Sequence, residues 1–286
     1  MTAYLLKLRC VTNLHVGSGD VNYSVIDNEV ERDPVLQDVP IIHATGVKGA
    51  LRAHFAGRLG QAEADSIFGS SGGAGTATKP GSHKFFDAFC LARPLRLLSS
   101  ARADVPCLLG VGLDALRHYC GFLQALGFSQ WSVGNDQLAE GSLAYTGLGN
   151  AKHVYVEGDK ASPLPASLTP ATKQALADLV GEPYVLAPTL RHYPLPAAAR
   201  NSLGNVQIPN LWYEEFVPHM SIFYTVIMTP GSSELGLDFD AGPIQFGGNS
   251  SVGYGQCHLE VFACAAPAPP AEAAAAAPAA QIAQTS

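Results

Sequence analysis

Residues 39–55, VPIIHATGVKGALRAHF, pass directly from a strand pattern into a helix pattern. The segment 39–42 is a short apolar run, as in a buried strand. Beyond it an apolar residue recurs at every fourth position, the spacing of one helix face: Val47, Leu51 and Phe55. Thr45 stands where a helix N-cap is expected. This stretch predicts a short strand followed by an amphipathic helix.

On the N-terminal side, residues 4–11 alternate with the period of a strand that has one more polar face. The turn cluster 17–20, Gly-Ser-Gly-Asp, ends that segment. A loop follows that carries Asp27 and then Glu31-Arg32-Asp33-Pro34. The order predicted for the first 55 residues is therefore strand, loop, short strand and helix.

On the C-terminal side, further helices are predicted at 62–68, along the apolar positions between Leu113 and Leu123, and from Thr169-Pro170 to about Val180. Strands are predicted at 84–91, 216–228, 244–246 and 256–262. This order predicts an α+β protein with a ferredoxin-like (RRM-like) core and inserted helices, rather than a doubly wound fold.

Two stretches fall outside this regular pattern. Residues 183–209 are Pro-rich and irregular, with Arg191, Tyr193 and Arg200 interspersed, and are predicted to form a projecting loop or ragged hairpin. From residue 263 Ala and Pro dominate, which predicts a disordered tail over 263–286. Residues 1–262 are accordingly expected to form a single domain with insertions.

Composition limits the classes of function. The 286 residues carry a net charge of −7, which counts against nucleic-acid binding through an overall positive field, so any RNA site must be local. The six cysteines show no CxxC spacing, no signal-peptide pattern opens the chain, and no apolar run approaches the roughly 20 residues of a membrane-spanning helix. We expect a soluble, cytoplasmic protein with reduced cysteines and no membrane contact.

Three groups of motifs together resemble the RAMP superfamily, and within it the backbone subunits of type III-B CRISPR effector complexes. The first is LHVGSG at 14–19 with VID at 25–27 and ERDP at 31–34, and the second is GVKGALR at 46–52. The third is LWYEEFVP at 211–218 with the glycine loop that ends in GYG at 253–255. The sequence departs from the family pattern at Tyr254, where arginine is common, and at 43–45, where HAT replaces a common Pro-Gly-Ser.

The resemblance implies a subunit that binds the guide RNA (crRNA) and polymerises head-to-tail along it, together with other CRISPR effector-complex subunits. A projecting hairpin, the thumb, would interrupt the pairing of guide and target RNA, and target RNA would be cut there with Mg²⁺ or another divalent metal. By position, Asp27 matches the catalytic and metal-binding aspartate of the family. Residues 183–209, with Arg191, Tyr193 and Arg200, match its thumb.

Each candidate also has a plainer interpretation. Asp27 alone would be a turn-capping aspartate, whereas in this motif it can bind a hydrated Mg²⁺ through one oxygen or orient an attacking 2′-hydroxyl. One carboxylate cannot hold a metal unaided, so RNA phosphates, His15, Glu214 or Glu215 would have to contribute. His15 at a strand end more commonly makes a structural hydrogen bond to the backbone than acts in catalysis. Asp33 is expected to cap a turn or form a local salt bridge.

Two further groups are candidates for RNA contact. Lys48 and Arg52, stacked one turn apart, are either a solvated helix face or, beside a helix N-terminus, a phosphate-binding spot. The glycine loop is either a wide hairpin turn or a surface where backbone amides approach phosphates and a ring stacks on a base. Its RNA-binding candidates are Gly247, Gly248, Gly253, Tyr254 and Gly255.

Three functions follow from these alternatives. The preferred one is a guide-RNA-binding scaffold that also cleaves target RNA through Asp27, a metal-dependent endoribonuclease acting within a complex. The second is a scaffold that binds RNA without cutting it. The third is an unrelated small-molecule enzyme that uses Asp27, Asp33 and His15 as a metal site.

Overall fold

A computed structural model describes residues 1–17, 25–70, 78–98, 104–149, 151, 153–201, 211–231, 234–239 and 242–265. The strands are β1 Thr2–Cys10, β2 Ile41–Ile42, β3 Lys84–Phe85, β4 Ala88–Leu98, β5 Cys107–Gly112, β6 Leu143–Tyr145, β7 Val154–Val156, β8 Asp159–Pro163, β9 Tyr184–Ala187, β10 Ala197–Asn201, β11 Leu211–Glu215, β12 Ile222–Thr229, β13 Ile244–Gln245 and β14 Gln256–Ala265. The helices are α1 Ala44–Leu59, α2 Gln61–Phe68, α3 Leu113–Ala125 and α4 Pro170–Leu179.

Strand β1 lies inside the main sheet, between β14 and β12. It pairs antiparallel with β12 on one side, where Leu6 faces Thr225, and with β14 on the other, where Leu8 faces Leu259. Most side chains of β1 and β12 are buried, so much of both faces of these strands is covered. The alternation over residues 4–11 thus correctly predicted a strand, and Arg9 and Val11 on its more polar face are exposed.

The α+β class is confirmed, while the ferredoxin-like description fits only part of the sheet. The four strands β14, β1, β12 and β4 lie side by side with antiparallel neighbours, and α1 lies between β1 and β4 in the chain. A ferredoxin-like β-α-β-β-α-β unit would also have a helix between its last two strands. Within the described residues, the only helical turn between β12 and β14 is a 3₁₀ turn at Ser250–Val252.

The sheet continues beyond β4 into a second part built from β5, β9, β6, β8 and β7. This part has its own apolar cluster, which includes Leu108, Val156 and Val185. All four residues of β9 are buried between β5 and β6. Residues 184–187 are therefore a core strand, and the prediction that the projecting segment begins at 183 was wrong, because the prolines on either side of this short apolar run were taken as signs of a loop.

The helices follow their apolar periodicity. Val47, Leu51 and Phe55 form the buried face of α1, as predicted. The predicted cap at Thr45 was wrong, because α1 begins at Ala44 and its N-cap is His43, which makes no side-chain cap hydrogen bond. The predicted start of α4 is confirmed, since Thr169 is the N-cap and its hydroxyl accepts the backbone N–H of Thr172.

Several strand boundaries differ from the predictions. The predicted strand 84–91 is two strands, β3 and β4, and β4 continues to Leu98. The predicted strand 216–228 begins only at Ile222, since Met220 has a φ of 71° just before it. Strand β14 extends to Ala265, past the predicted start of the tail at residue 263. The rest of the predicted tail, 266–286, lies outside the described residues.

Strands β10 and β11 form a separate two-stranded antiparallel hairpin in which Ala199 faces Tyr213. The side chains of Leu211 and Tyr213 are exposed, so this hairpin faces solvent. The residues 202–210 that join the two strands lie outside the described residues. A hairpin thus exists in the region predicted to project, but its base lies at 197–201 and 211–215. Among the described residues, no helix combines the length and apolar character needed to cross a membrane.

Candidate functional site

Three chain segments meet at the base of the β10–β11 hairpin. Leu14 and Val217 exchange backbone hydrogen bonds of 2.9 and 2.8 Å. Two residues earlier, the backbone N–H of Glu215 donates to the carbonyl oxygen of Asn28 at 2.9 Å. The hairpin base therefore pairs with both the His15 segment and the Asp27 loop. Segments far apart in sequence are brought together at this one place.

Asp27 is exposed on that loop and tied to the hairpin by two hydrogen bonds. The backbone N–H of Tyr213 donates to Asp27 Oδ2 at 2.7 Å, and the Asp27 N–H donates to the Tyr213 carbonyl oxygen at 3.1 Å. A carboxylate that accepts one backbone N–H has a second oxygen with acceptor capacity left. Asp27 is thus held in place and still accessible to solvent.

His15 is half-buried, and its ring is oriented by β11, the second strand of the hairpin. Its Nδ1 lies 2.7 Å from the carbonyl oxygen of Glu215 and 3.6 Å from Glu214 Oε1. Because a carbonyl oxygen only accepts, Nδ1 carries the hydrogen in this contact and Nε2 is the remaining acceptor. The structural hydrogen bond to the backbone expected as the plainer role of His15 is confirmed.

Glu214 and Arg200 join this cluster from the hairpin itself. Glu214 is buried, accepts a hydrogen bond from the Asn249 side chain, and its Oε2 lies 3.3 Å from Arg200 Nε. The Arg200 guanidinium also lies over the ring of Tyr254, 5.0 Å from its centroid. The distance marks an ion pair, yet Nε and Nη2 of Arg200 are buried without a hydrogen bond among the described residues. One thumb candidate and one glycine-loop candidate are therefore in direct contact.

Glu215 fixes the Asp27 loop to the hairpin. Its side chain is buried, Oε2 accepts the backbone N–H of Val30 at 3.0 Å, and Oε1 pairs with Arg32 Nη2 at 2.5 Å. Arg32 also donates to the Val30 carbonyl oxygen at 2.8 Å. A buried carboxylate needs such partners to remain ionised. Sequence reasoning named Glu215 only as a helper to a metal, and its partners are more than 180 residues away in the chain.

Lys48 and Arg52 lie on one face of α1 but differ in their contacts. Both line a concave surface together with Ser70, Thr78 and Lys79. Arg52 Nη2 pairs with Asp65 Oδ1 at 2.6 Å and its Nη1 donates to the Gly69 carbonyl oxygen. Lys48 makes no hydrogen bond or ion pair within the described ranges. Arg52 thus connects α1 to the end of α2, while the Lys48 ammonium can bind an anion.

Two glycines of the loop 247–255, Gly247 and Gly255, approach neighbouring backbone too closely to carry a side chain. Gly247 has a φ of 65°, and a Cβ there would overlap the carbonyl oxygen of His15. The N–H groups of Gly248 and Gly255 donate to the carbonyl oxygens of His15 and Asn13, at 2.9 and 2.7 Å. Gly253 likewise donates to Ser250 at 3.0 Å. These three amides are occupied, whereas the half-buried Tyr254 ring keeps an accessible surface.

The remaining thumb candidates do not lie on the hairpin. Tyr193 is buried, its hydroxyl donates to Asp159 Oδ2 at 3.0 Å, and its carbonyl oxygen accepts a hydrogen bond from Arg93. Burial and the neighbouring Asp159 carboxylate raise the pKa of Tyr193 to about 12. Arg191 is exposed in the turn that precedes the hairpin. Tyr193 therefore belongs to the body of the protein, and only Arg200 lies on the hairpin.

The side chains near Asp27 that could coordinate a metal ion determine which kind of metal site can form there. No three His, Cys, Asp or Glu side chains in the described ranges are arranged to hold a metal ion. Asp33 uses Oδ1 to accept the N–H groups of Val35 and Leu36 at 2.9 and 2.7 Å, which confirms it as a turn cap. The separate metal enzyme built on Asp27, Asp33 and His15 does not fit this arrangement. A hydrated Mg²⁺ held by one carboxylate and by substrate phosphates does fit it.

Comparisons with known proteins agree with the sequence motifs. A sequence profile of the RAMP superfamily matches residues 7–258. The CRISPR system Cmr endoribonuclease Cmr4 of Pyrococcus furiosus is 24% identical over 287 residues, which cover 89% of this chain and 94% of that protein. The resemblance drawn from the motifs is confirmed.

Solved structures show the same likeness in fold. A chain of the type III-B Cmr-beta complex bound to cognate target RNA matches with a TM-score of 0.70 and 18% identity, covering 91% of this chain and 97% of that one. Oligomeric Cmr4 from Pyrococcus furiosus matches with a TM-score of 0.66 and 18% identity, over 93% of this chain and 98% of that one.

Proposed function

This chain belongs to the RAMP superfamily, and we propose that it is a guide-RNA-binding backbone subunit of a type III CRISPR effector complex that cleaves bound target RNA. The observation that carries the proposal is Asp27, an accessible carboxylate fixed to the base of a projecting hairpin by Tyr213. The near full-length similarity to a Cmr endoribonuclease supports it. The fold likeness to a chain of an RNA-bound Cmr complex is consistent with it.

In this proposal Asp27 acts on the ribose next to the scissile phosphate. Its free carboxylate oxygen accepts the proton of the 2′-hydroxyl, the 2′-oxygen attacks the adjacent phosphorus, and the bond to the 5′-oxygen breaks. The leaving 5′-oxygen takes a proton from water. The Tyr213 N–H keeps Asp27 oriented, which is the usual requirement for a general base. The hairpin that carries Tyr213 would hold the RNA in the geometry needed for this in-line attack.

In the metal-dependent form of the proposal, Asp27 would instead be the protein ligand of a divalent ion, and RNA oxygens would complete the coordination. When bound, the ion supplies positive charge that stabilises the phosphate in the transition state. The metal dependence is tested by adding excess EDTA to the assembled complex and then restoring Mg²⁺. We expect cleavage to stop and then to recover. Unchanged cleavage in EDTA would remove the metal from the proposal while leaving Asp27 as a base.

Guide binding is assigned to the concave surface that contains Lys48. It is a local basic site on a chain of net charge −7, so it would contact a few phosphates rather than a long stretch of RNA. Repeated copies would lie head-to-tail along the guide, since a non-closing heterologous contact generates a filament.

The first experiment is to purify the protein from its native cells and sequence any RNA that accompanies it. We expect short RNAs that share one repeat-derived end, together with several other proteins. A monodisperse monomer without RNA would contradict the proposed function.

A scaffold that binds RNA without cutting it is the second candidate. The observation in its favour is that one Asp27 oxygen already serves to hold the hairpin, a purely structural role. A substitution at Asp27 distinguishes the two candidates, because it should abolish target cleavage only if Asp27 is catalytic. Both candidates predict that RNA co-purifies with the protein.

A further inference from the structure

A second concave surface, separate from the residues around Asp27, has walls made of aromatic rings. We name it the aromatic pocket and define it by six side chains: Phe85, Phe86, Phe89, His118, Tyr119 and Phe122. The carboxylate-bearing residues Asp33 and Asp87 also line it. None of the proposed RNA contacts or catalytic roles uses this surface.

The rings of the aromatic pocket support one another. Phe89 stacks on Tyr119 with centroids 5.0 Å apart and on His118 at 6.0 Å. Phe122 contacts Phe86 edge-on at 5.8 Å. Phe89 and Tyr119 are buried, whereas Phe85, Phe86 and Phe122 are half-exposed. A ring wall fixed from behind and partly open to solvent is a preformed surface for a flat or cationic group.

Two carboxylates in the pocket are also fixed in place. Asp33 Oδ1 accepts the N–H groups of Val35 and Leu36, and Asp87 Oδ1 accepts the Ala44 N–H at 2.6 Å. The second oxygen of each carboxylate has acceptor capacity left. Asp87 also lies 3.9 Å from His43 Nδ1, and His43 lies 3.5 Å from Glu31. Neither Lys nor Arg is among the lining residues, so the pocket attracts cations and repels phosphates.

We propose that the aromatic pocket binds an arginine side chain presented by a partner protein. A guanidinium stacks flat on aromatic rings and donates paired hydrogen bonds to carboxylates, which matches both features of this surface. Lysine offers no planar face for stacking. A nucleobase would also stack on the rings, but its flanking phosphates would meet Asp33 and Asp87. This interaction is independent of the RNA functions proposed above.

The test uses the full chain labelled with 4-fluorophenylalanine and observed by ¹⁹F NMR, with the resonance of Phe122 assigned from a Phe122→Leu variant. The probe is N-acetyl-argininamide, and its control is N-acetyl-citrullinamide, which has the same shape without the charge. We expect argininamide to shift the Phe122 resonance to a saturating value. Citrullinamide should cause a change in chemical shift at least tenfold smaller. Uridine monophosphate is the probe for a nucleobase.

A second arm uses Asp33→Asn with Asp87→Asn, which keeps an oxygen for each backbone N–H. The matched control removes two charges elsewhere, at the exposed residues Glu63 and Glu140, by changing each to Gln. The pocket variant is expected to weaken argininamide binding about tenfold and the control to leave it unchanged.

The proposal is overturned if citrullinamide binds as well as argininamide, if uridine monophosphate causes the larger shift, or if no probe causes a saturable shift. The comparison of probes uses the labelled chain with Asp33 and Asp87 unchanged, so it decides the question even if the double variant does not fold.

Discussion

At the scale of single residues, the position of Asp27 depends on a carboxylate that is not itself exposed. Glu215 accepts the Val30 N–H and pairs with Arg32, both of which lie on the loop that carries Asp27. Glu215 is 2% exposed, so its charge is compensated by these partners rather than by water. Removing it would leave a buried N–H and an arginine without their acceptor.

We therefore expect Glu215→Ala to lower the free energy of unfolding by about 3 kcal/mol, the usual effect of breaking a buried ion pair. Urea titration followed by circular dichroism measures this. The matched control is Glu63→Ala, an exposed residue of α2, which should change stability by less than about 0.5 kcal/mol. Equal stability of the two variants would show that the Glu215 contacts do not support the loop.

Single residues differ in how far the sequence alone could predict their roles. Asp27 became a candidate because its motif is local, and the turn cap at Asp33 was predictable because it involves only Val35 and Leu36, two and three residues further on. The contact of Arg200 with Glu214 and Tyr254 was not foreseeable, because it joins a hairpin strand to a loop some 50 residues further on. The glycine loop was predicted to offer its amides to RNA, but the N–H groups of Gly248 and Gly255 bond to the His15 segment instead.

At the scale of elements, helix α4 is stabilised at its start by a carboxylate from another part of the chain. Asp136 accepts the Thr169 N–H at 2.9 Å and the Thr169 hydroxyl at 2.7 Å, and it also accepts the Thr172 hydroxyl. Burial alone would raise the pKa of Asp136, but the hydrogen bonds from Thr172 and Thr169 outweigh burial and lower it. Asp136 and Thr169 thus form one capping network.

Because the folded-state pKa of Asp136 is lowered, the unfolded state binds more protons between that pKa and the unfolded value of about 3.9. The contribution of Asp136 to stability is therefore fully present at neutral pH and is lost as pH falls through its folded-state pKa. We expect the stability difference between the wild type and Asp136→Asn to shrink on acidification. Urea titrations at a series of pH values measure it. A difference that stays constant with pH would contradict this account.

The sequence predicted some helices and strands better than others, and the reason is physical. Helices α1 and α4 were predicted because their periodicity and, for α4, its cap are local signals. Strand β9 was missed because a short apolar run between prolines looks the same in a loop as in a buried strand. Only the pairing of β9 with β5 and β6 decides between them, and those strands come from distant parts of the sequence.

At the scale of the whole molecule, the proposed RNA binding has to use a small area of an acidic chain. Lys48 lies on a concave surface with Lys79 and has no internal partner in the described ranges, whereas Arg52 is engaged with Asp65 and Gly69. A double substitution at Lys48 and Arg52 would mix lost RNA contact with a loosened α1–α2 connection. Lys48 alone gives the cleaner test.

We expect Lys48→Ala to weaken guide-RNA binding equally for all sequences. The slope of the logarithm of the association constant against the logarithm of the salt concentration should also become shallower by about 0.7, the contribution of one phosphate contact to a single strand. Filter binding at several salt concentrations measures both. The control is Lys160→Ala, an exposed lysine on β8, which should leave affinity and slope unchanged. If the two variants behave alike, the surface around Lys48 does not bind the guide.

The order of strands in the sheet was only partly foreseeable from the chain order of the elements. The core strands β14, β1, β12 and β4 follow from a strand-helix-strand pattern. The extension through β5, β9, β6, β8 and β7 lies between Cys107 and Ala187, outside the three groups of family motifs. Pairings between strands far apart in sequence leave no local pattern that can be recognised.

The central claim is that this subunit cuts target RNA with Asp27, and the decisive measurement is target cleavage by an effector complex reconstituted with Asp27→Asn. The asparagine oxygen can still accept the Tyr213 N–H, so the loop and the hairpin should keep their positions. We expect the variant complex to assemble with normal RNA content and to cleave on the order of 10²- to 10⁴-fold more slowly, the usual loss when a general base is removed. Cleavage at the same sites and the same rate would contradict the claim and leave the protein as a scaffold.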